Sequence, residues 1–346
     1  MKILYLGYNS FGQHKRGVEN VIDFQSKACD FKQIYYIHWG TKTTAYKNNK
    51  FLCISIKNDW YWPIILNYLL FRIRLRNKII IHSHNPLFSF FSIYKTNILT
   101  VHDGLYYLNK SKNRNLVFMF RLIESILYFR CSLVHFISVY TKKQTLFGKR
   151  SNFIIIPNTS HLEPLVPKLE FYNEKSPKRS ILVVRSIEER ARFDILLQVA
   201  EELRGKDYVI TVAGKGPLLA FYQNEILKRN LDNIELLGYV NDGNLRQLYL
   251  NCDIVLMIAE YGEGFGLPII EGYLFNKPVI ASNRCAIPEV IISINYLFEN
   301  TVNDILQKID FVMNISYINY RDYYDLKYSN SIVLTQMRKH YVDCYL

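Results

Sequence analysis

The sequence has few cysteines, and none of them stands in a closely spaced pair. The six cysteines are scattered over 346 residues without any Cys-x-x-Cys spacing. Structural zinc sites and disulfide frameworks both depend on such spacings. The sequence therefore predicts reduced thiols in a cytoplasmic protein, with neither a disulfide framework nor a zinc site.

Long hydrophobic runs are also missing. The longest apolar-rich stretch, residues 60–71, contains Pro63 and Asn67, and it is far shorter than the ~20 residues that a membrane-spanning helix needs. The first apolar run is short and follows a single lysine, Lys2, which is unlike a signal peptide. Because 49% of the residues are hydrophobic, the chain has ample material for buried cores. The sequence thus predicts a folded protein that is soluble or peripheral on a membrane.

Acidic residues are scarce in the first half of the chain. Residues 1–165 contain 23 lysines and arginines but 7 aspartates and glutamates, whereas residues 166–346 contain 20 basic and 23 acidic residues. This asymmetry predicts a polyanionic partner for the first half, with a generally basic, solubilising surface as the alternative. Because the sequence contains no nucleic-acid recognition motif, a nucleic acid is not predicted as that partner.

Several common nucleotide-binding and metal-binding patterns are absent. The glycine-rich segments at residues 213–217 and 262–266 lack the third glycine of GxGxxG, and no GxxxxGK[ST] P-loop occurs. No Asp-x-Asp occurs either, so a metal-bound diphosphate is not expected. His82 and His84 are spaced like metal ligands, but no acidic or cysteine partner lies near them in sequence. We therefore predict no metal site and no cofactor.

The chain does contain a regular alternation of strand-like and helical segments. Ile- and Val-rich runs such as KILYLGY, KIIIHSH and NILTVHD alternate with helical patterns over residues 62–76 and 116–130. The alternation restarts after residues 157–180, which hold four of the ten prolines and are interpreted as a linker. The pattern predicts an α/β protein of two Rossmann-like, doubly wound domains that face a central cleft.

One short stretch, EYGEGFGLPIIEG at residues 260–272, indicates a specific ligand. A strand-like run precedes it and a helical run follows, so its glycines lie in a strand-to-helix turn where backbone can approach a ligand closely. Pro268 suits the first turn of the helix, and the helix start favours phosphate. With Glu263 before the turn and Glu271 after it, hydroxyl groups on both sides of a phosphate can be bound. The pattern predicts a nucleotide-sugar ligand.

This stretch resembles the signature of the retaining glycosyltransferases of family 4, which have the GT-B fold. Their two glutamates are separated by seven residues that commonly include Gly-Phe-Gly-Leu-Pro, as here. Other segments match the family in the same order: RGVE and TVHD in the first half, then VVRSIEERAR, AGKGP, LLGYV and KPVIASNRCAIPEVI. The resemblance covers residues 1–300. It implies an acceptor-binding domain at residues 1–165, a donor-binding domain at 166–325, and a C-terminal helix at 326–346 that packs back on the first domain.

The resemblance also implies which residues form the site. The implied catalytic residues are His102, Asp103 and Glu263. The implied donor-binding residues are Gly17, Arg185, Arg190, Tyr239, Val240, Gly264, Phe265, Gly266, Leu267 and Glu271. Glu263 is expected to hold the hexose hydroxyls, Glu271 the ribose, and the two arginines the diphosphate.

Three departures from the family pattern stand out. Arg16 replaces one of two glycines in the first-domain loop, and Arg190 with Ala191 replaces a Lys-Gly pair. Since an arginine keeps the positive charge, activity is expected to be retained. Residues 284–286, Arg-Cys-Ala, replace paired glycines after Glu271, which affects the expected donor selectivity.

We expect a metal-independent hexosyltransferase that uses a donor such as a UDP- or GDP-sugar and a glycan or lipid-linked acceptor. Bacterial surface polysaccharide biosynthesis (lipopolysaccharide, O-antigen or capsule) is the expected setting. The alternative is a catalytically inactive nucleotide-sugar-binding protein. Residues 60–78 have two equally supported interpretations. The segment forms either a basic and aromatic surface that docks on the inner face of the cytoplasmic membrane or a single core helix. The sequence does not specify the donor sugar, base, acceptor or oligomeric state.

Overall fold

The computed structural model describes residues 1–11, 17–75, 78–102, 114–145, 152–166, 178–315 and 318–346. These residues form two units. Unit 1 comprises Met1–His161 and Ser331–Leu346, and unit 2 comprises Leu162–Asn330. The first boundary thus falls four residues before the predicted one at residues 165 and 166, and the C-terminal helix groups with unit 1.

Within the described residues, unit 1 contains one sheet of eight strands in the order β3-β4-β2-β1-β5-β6-β7-β8. The strands are β1 Lys2–Leu6, β2 Gln33–Gly40, β3 Thr44–Asn48, β4 Phe51–Lys57, β5 Ile80–Ser83, β6 Thr96–Val101, β7 Cys131–Phe136 and β8 Phe153–Ile155. The helices are α1 Gly17–Gln25, α2 Trp62–Arg74, α3 Pro86–Phe91, α4 Arg114–Arg130, α5 Val139–Lys143 and, at the C-terminus, α13 Asn330–Tyr345. A short 3₁₀ turn at Glu163–Leu165 belongs to unit 2.

The central strand β1 shows why unit 1 is layered. Alternate side chains of a strand point to opposite faces of the sheet. Ile3 and Tyr5 pack into a core shared with α1 and α13, whereas Leu4 and Leu6 pack into a core shared with α2. Because both faces of this mostly parallel sheet are covered, its central strand β1 is continuously apolar.

Within the described residues, unit 2 contains a parallel sheet of six strands in the order β11-β10-β9-β12-β13-β14. The strands are β9 Arg179–Val184, β10 Tyr208–Ala213, β11 Ile234–Gly238, β12 Ile254–Met257, β13 Val279–Ser282 and β14 Leu297–Phe298. The helices are α6 Phe193–Leu203, α7 Leu219–Lys228, α8 Asp242–Asn251, α9 Leu267–Leu274, α10 Ile287–Val290, α11 Val302–Met313 and α12 Tyr320–Lys327, with 3₁₀ turns at Glu189–Ala191 and Ile294–Tyr296.

The strand order of unit 2 is that of a doubly wound Rossmann sheet. Counted from its first strand, the order is 3-2-1-4-5-6, which reverses direction between β9 and β12. Ligands of such sheets bind outside the carboxyl ends of the strands at this point of reversal. The corresponding point in unit 1 lies between β1 and β5, which pair directly. These two places are where each unit is expected to carry its site.

The structure differs from the sequence pattern at the edges of both sheets. Strand β3 pairs antiparallel with β4, and its short, largely exposed sequence TAYKN carries no strand-like apolar alternation. Strand β14 has two residues, too few to be recognised from sequence. Within the described residues, no helix is both long and apolar enough to cross a membrane.

Candidate functional site

The first site residues of unit 2 lie at its point of strand reversal. Arg185 follows β9 directly, and Glu263 lies in the turn after β12. The guanidinium Nη1 of Arg185 lies 3.2 Å from the Oε2 of Glu263. The two side chains are 7% and 19% exposed, so the pair is largely removed from water. Two residues that are 78 positions apart in sequence are thereby brought together where a ligand is expected.

Arg185 retains hydrogen-bonding capacity inside this site. Its buried Nε has no hydrogen-bond partner among the described residues. Burial lowers the pKa of Arg185, and the neighbouring Glu263 partly opposes that shift. A buried N–H donor without a partner carries a desolvation cost. An anionic ligand that reaches this side chain would remove the cost, which fits the predicted contact with the donor diphosphate.

Neighbouring loops fix the position of Arg185. The backbone N–H groups of Arg185 and Ile187 donate to the carbonyls of Ala213 and Lys215, at 3.0 Å each. A Cβ on Gly214 would overlap the carbonyl oxygen of Arg185. The AGKGP segment therefore needs glycine there because the two loops are in backbone contact.

Arg190 lies beside the glycine-rich turn and holds it. Its Nη1 donates to the carbonyl oxygen of Gly262 at 2.6 Å, and its Nε donates to Oε2 of Glu188 at 3.2 Å. The backbone N–H of Glu260 also donates to the carbonyl of Arg190 at 2.9 Å. Arg190 therefore supports the loop that carries Glu263, and its predicted phosphate contact stays a prediction.

The turn itself has two glycines with left-handed backbone. Gly262 has φ 70° and Gly266 has φ 101°, a region that side-chain-bearing residues avoid. Gly264 and Phe265 are buried, and Phe265 packs edge to face on Tyr328 at 5.9 Å between ring centroids. The sequence analysis included Gly264 and Gly266 among the site residues but not Gly262, which directly precedes Glu263.

Helix α9 begins directly after the turn and carries Glu271. Gly266 is its N-terminal cap, Leu267 is its half-buried first residue, and a proline lies in the first turn. Glu271 is only 4% exposed, and its Oε2 accepts a hydrogen bond from the hydroxyl of Tyr249 at 2.8 Å. Burial raises the pKa of Tyr249 well above its usual value, so this phenol stays a donor. Tyr249 is a supporting residue that sequence reasoning missed, and the ribose contact of Glu271 stays a prediction.

Tyr239 and Val240 follow β11 at the same end of the sheet. Tyr239 is 60% exposed, Val240 is half-buried, and the Nζ of Lys215 lies 4.9 Å from the centroid of the Tyr239 ring. An exposed aromatic face of this kind is available for stacking, and the contact of Tyr239 with a base stays a prediction.

The departure from the family pattern at residues 284–286 has a structural consequence. Cys285 has φ 57°, so a cysteine occupies a backbone position that favours glycine. The backbone N–H of Ala286 donates to the carbonyl of Glu263 at 3.2 Å, and Arg284 forms a 2.6 Å ion pair with Glu299. This segment therefore contacts the turn that carries Glu263.

In unit 1, four histidines lie at or near the carboxyl ends of neighbouring strands. His82 lies on β5 and His84 follows it, His102 follows β6, and His135 lies on β7. His82, His84 and His135 are buried, and His102 is half-buried. Burial lowers the pKa of His82 and His84 well below the usual value, that of His135 to about 4 and that of His102 to about 3. All four rings are therefore neutral near pH 7.

Two of these histidines, His135 and His82, belong to one ordered hydrogen-bond chain that runs through Thr100. His135 Nε2 lies 2.8 Å from the carbonyl oxygen of Ile156, which can only accept, so the neutral ring must accept at Nδ1. Thr100 Oγ1, 2.9 Å from that Nδ1, is then the donor. His82 Nε2 donates to Thr100 Oγ1 at 2.7 Å.

The hydrogen-bond chain continues into the C-terminal helix. His82 Nδ1 must accept from the hydroxyl of Tyr341, 2.7 Å away, and that hydroxyl accepts from Tyr5 at 3.0 Å. The carbonyl oxygen of Ile156, directly after β8, thereby determines which group donates in each of these hydrogen bonds. The bonds connect residues on β7, β6 and β5 to Tyr341 on α13 and from there to Tyr5 on β1. A complete buried network of this kind favours one arrangement of the strands.

The other predicted residues of unit 1 are only partly described. Gly17 is exposed and begins α1. Glu19, 1% exposed, accepts from the backbone N–H of Asn9 at 3.1 Å and so ties down the loop after β1. Arg16 and Asp103 lie outside the described residues. Among the residues that the structure does describe, no group of three or more His, Cys, Asp or Glu side chains is arranged to hold a metal ion.

Comparison with known proteins is consistent with this geometry. Residues 168–325 match the family described as glycosyl transferases group 1. An uncharacterized glycosyltransferase of Methanocaldococcus jannaschii is 29% identical over 176 residues, which is 50% of this chain and 47% of that protein. The O-antigen chain mannosyltransferase C of Escherichia coli is 33% identical over 25% of this chain and 23% of its own length. The chain thus matches less than half the length of these curated relatives.

A solved structure covers nearly the whole chain. The crystal structure of Anabaena HepE in complex with UDP and glucose superposes with a TM-score of 0.78 at 14% identity, covering 99% of each chain. A likeness at this identity concerns the fold. It confirms the predicted fold class, the GT-B fold built from two Rossmann-like domains.

Proposed function

We propose that the chain is a family 4 hexosyltransferase, because residues 168–325 match the glycosyl transferases group 1 family. It moves a hexose from a nucleotide-diphosphate sugar to a glycan or lipid-linked acceptor, with retention of anomeric configuration. Bacterial surface polysaccharide biosynthesis is the proposed setting, supported by the O-antigen mannosyltransferase among its relatives. The observation that carries the proposal is the largely buried Arg185–Glu263 pair at the point of strand reversal.

The proposed mechanism relies on positive charge at the leaving diphosphate. Arg185, with its unpartnered Nε, and Arg190, beside the glycine-rich turn, stabilise the charge that develops as the glycosidic bond breaks. The N-terminus of α9 adds a favourable field for phosphate. These groups supply the stabilisation without a metal ion in the proposed mechanism.

The remaining roles concern the sugar and the nucleoside. Glu263 accepts hydrogen bonds from hexose hydroxyls, and its contact with Arg185 holds its carboxylate in one orientation. Glu271, oriented by Tyr249, accepts from the ribose, and Tyr239 lies beside the base. His102 is proposed to contact the donor sugar, and the acceptor is proposed to attack from the face that the leaving group departs.

Release of nucleoside diphosphate from a panel of UDP- and GDP-sugars tests the proposal and distinguishes an enzyme from a binding protein. We expect release from one or a few donors, accelerated by a glycan or lipid-linked acceptor and unchanged by EDTA. Thermal stabilisation by a donor without any release would support an inactive binding protein. Release that stops in EDTA and returns with Mg²⁺ or Mn²⁺ would contradict metal independence.

We also propose that unit 1 docks on an anionic membrane surface. One face of α2 packs into the core through Leu66, Leu70 and Ile73. The opposite face exposes large apolar side chains at helical spacing, Ile64 67%, Tyr68 56% and Phe71 47%, and Leu75, directly after the helix, is 62% exposed. The helix is thus a core helix on one side and an apolar surface on the other.

A second helix adds to this surface. Helix α4 exposes the apolar side chains Phe118, Met119, Leu122, Ile126 and Phe129, each at least 43% exposed, and α3 contacts both α2 and α4. Arg72, Arg74 and Arg130 are basic residues at the ends of these helices. Apolar side chains next to basic ones suit the interface of an anionic bilayer.

Vesicle co-sedimentation tests the docking. The full chain should bind anionic vesicles at low salt, bind neutral vesicles poorly, and dissociate as salt screens the charges. The double substitution Ile64→Ser with Phe71→Ser should reduce binding, whereas Phe221→Ser, which removes an exposed aromatic side chain of unit 2 (56%), should not. If the wild-type chain instead stays in the supernatant and forms dimers that the double substitution disrupts, the surface joins copies of this chain.

A further inference from the structure

His84 has a contact that the proposed mechanism does not use. Its Nδ1 lies 2.8 Å from the Nε2 of His102, and the two rings stack with 27° between their planes. His84 is 1% exposed and follows β5, at the point of strand reversal in unit 1. A buried ring therefore holds the half-buried ring that is predicted to lie beside the substrate.

The direction of this hydrogen bond follows from the other nitrogen of His84. His84 Nε2 is buried and has no hydrogen-bond partner among the described residues. If His84 accepted at Nδ1, its neutral ring would carry its proton on Nε2 as a buried donor without a partner. If His84 donates from Nδ1, Nε2 is a bare lone pair. An unsatisfied buried N–H is the rarer and costlier of the two, so His84 donates.

We propose that His84 is a positioning residue that donates its Nδ1–H to Nε2 of His102 and thereby fixes the tautomer of His102. The neutral His102 ring then carries its own proton on Nδ1 and presents that N–H, on the less buried side of the pair, as a donor to an oxygen of the ligand. The partner of one imidazole nitrogen determines which nitrogen carries the proton. The inference that this donor acts on a sugar rests on the proposed function, whereas the tautomer does not.

Nitrogen NMR of the imidazole rings tests the tautomer without any assay of activity. In protein labelled with ¹⁵N-histidine, long-range ¹H–¹⁵N correlations distinguish a protonated from an unprotonated ring nitrogen. We expect His102 protonated at Nδ1 and His84 protonated at Nδ1 near neutral pH. The substitution His84→Leu should move the His102 proton toward Nε2, and His84→Asn, whose amide N–H can replace the Nδ1 donor, should keep it on Nδ1.

Kinetics then measure the consequence for transfer. His84→Leu should lower kcat by about tenfold or more with donor KM changed by less than about twofold, because the donor remains bound but is misaligned. His84→Asn should restore kcat to within about threefold of wild type. The matched control His38→Leu removes another buried histidine of unit 1, 2% exposed, whose partners are Trp39 and Tyr46. It should leave the His102 tautomer unchanged.

The outcomes separate this inference from the proposed function. An Nε2-protonated His102 in the wild-type protein would overturn the inference, as would an unchanged tautomer in a folded His84→Leu variant. If His84→Leu does not fold, the wild-type tautomer and the His84→Asn comparison still decide the point. If the tautomers are as expected but no sugar is transferred by any variant, the proposed function fails and the positioning role of His84 stands.

Discussion

Unit 1 should lose stability in mild acid because of its buried histidines. His82, His84 and His135 are each at most 1% exposed, and burial lowers their pKa values in the folded protein, that of His135 to about 4. In the unfolded chain a histidine has a pKa of about 6.5. The unfolded chain therefore binds protons that the folded unit does not, so stability is complete above pH ~6.5 and falls as the pH drops toward ~4.

The size of this stability loss can be calculated from the rings of His82, His84 and His135 alone. At pH 5.5, each ring that stays neutral in the folded state and protonates on unfolding costs ~1.4 kcal/mol. Three rings together cost ~4 kcal/mol, which is a large part of the ~5–15 kcal/mol that stabilises a typical domain. Unfolding at this pH should accordingly be coupled to the uptake of about three protons.

The composition of the two units supplies the assay and its control. All three tryptophans and all eight histidines fall within the sequence of unit 1, and residues 162–330 contain neither. Tryptophan fluorescence during urea unfolding thus follows unit 1, and circular dichroism of the remaining transition follows unit 2. Between pH 7.5 and 5.5, the free energy of unfolding of unit 1 should fall by ~4 kcal/mol. A change below ~1 kcal/mol, or an equal loss in unit 2, would refute this reasoning.

Three further predictions concern single side chains. Glu263→Ala should abolish transfer, whereas Glu271→Ala should mainly weaken donor binding; an equal loss of kcat in both, with donor affinity unchanged, would contradict their separate roles. Cys285→Gly should raise the free energy of unfolding of unit 2 by up to ~1 kcal/mol, because glycine tolerates the φ of 57° at lower cost, and a lower urea midpoint would contradict it. Tyr341→Phe should lower the stability of unit 1 by ~1–3 kcal/mol, because it leaves His82 and Tyr5 without their partner; Tyr345→Phe, at the helix end, is the control, and equal effects on the tryptophan transition would argue against the network.

The sequence alone was sufficient for the layered α/β fold, and it placed Arg185 and Glu263 next to strand ends of unit 2. Apolar strands and a strand-to-helix turn are local features, so the positions of Arg185 and Glu263 at strand ends could be predicted from nearby residues. Their 3.2 Å contact follows only from the strand order, which places β9 beside β12.

The supporting residues could not be predicted in this way. Tyr249 contacts Glu271 from another helix, and no local pattern marks it. His84 and its neighbour on β5 resembled an incomplete metal site in sequence. Their actual partners, directly after β6 and on the C-terminal helix, are 18 and 259 residues away. Contacts of this kind depend on tertiary packing, and the direction of each hydrogen bond depends further on a neighbour's lone pair.

The most direct test of the central claim is the rate of donor cleavage in an Arg185→Ala variant. The account places a buried guanidinium with an unpartnered Nε against the leaving diphosphate. Its loss should therefore slow release of nucleoside diphosphate by ~100-fold or more, a few kcal/mol of charge stabilisation. Arg204→Ala, which removes an exposed arginine bonded to backbone carbonyls of the same unit, should keep the wild-type rate. A folded Arg185→Ala variant that releases nucleoside diphosphate as fast as Arg204→Ala would contradict the account.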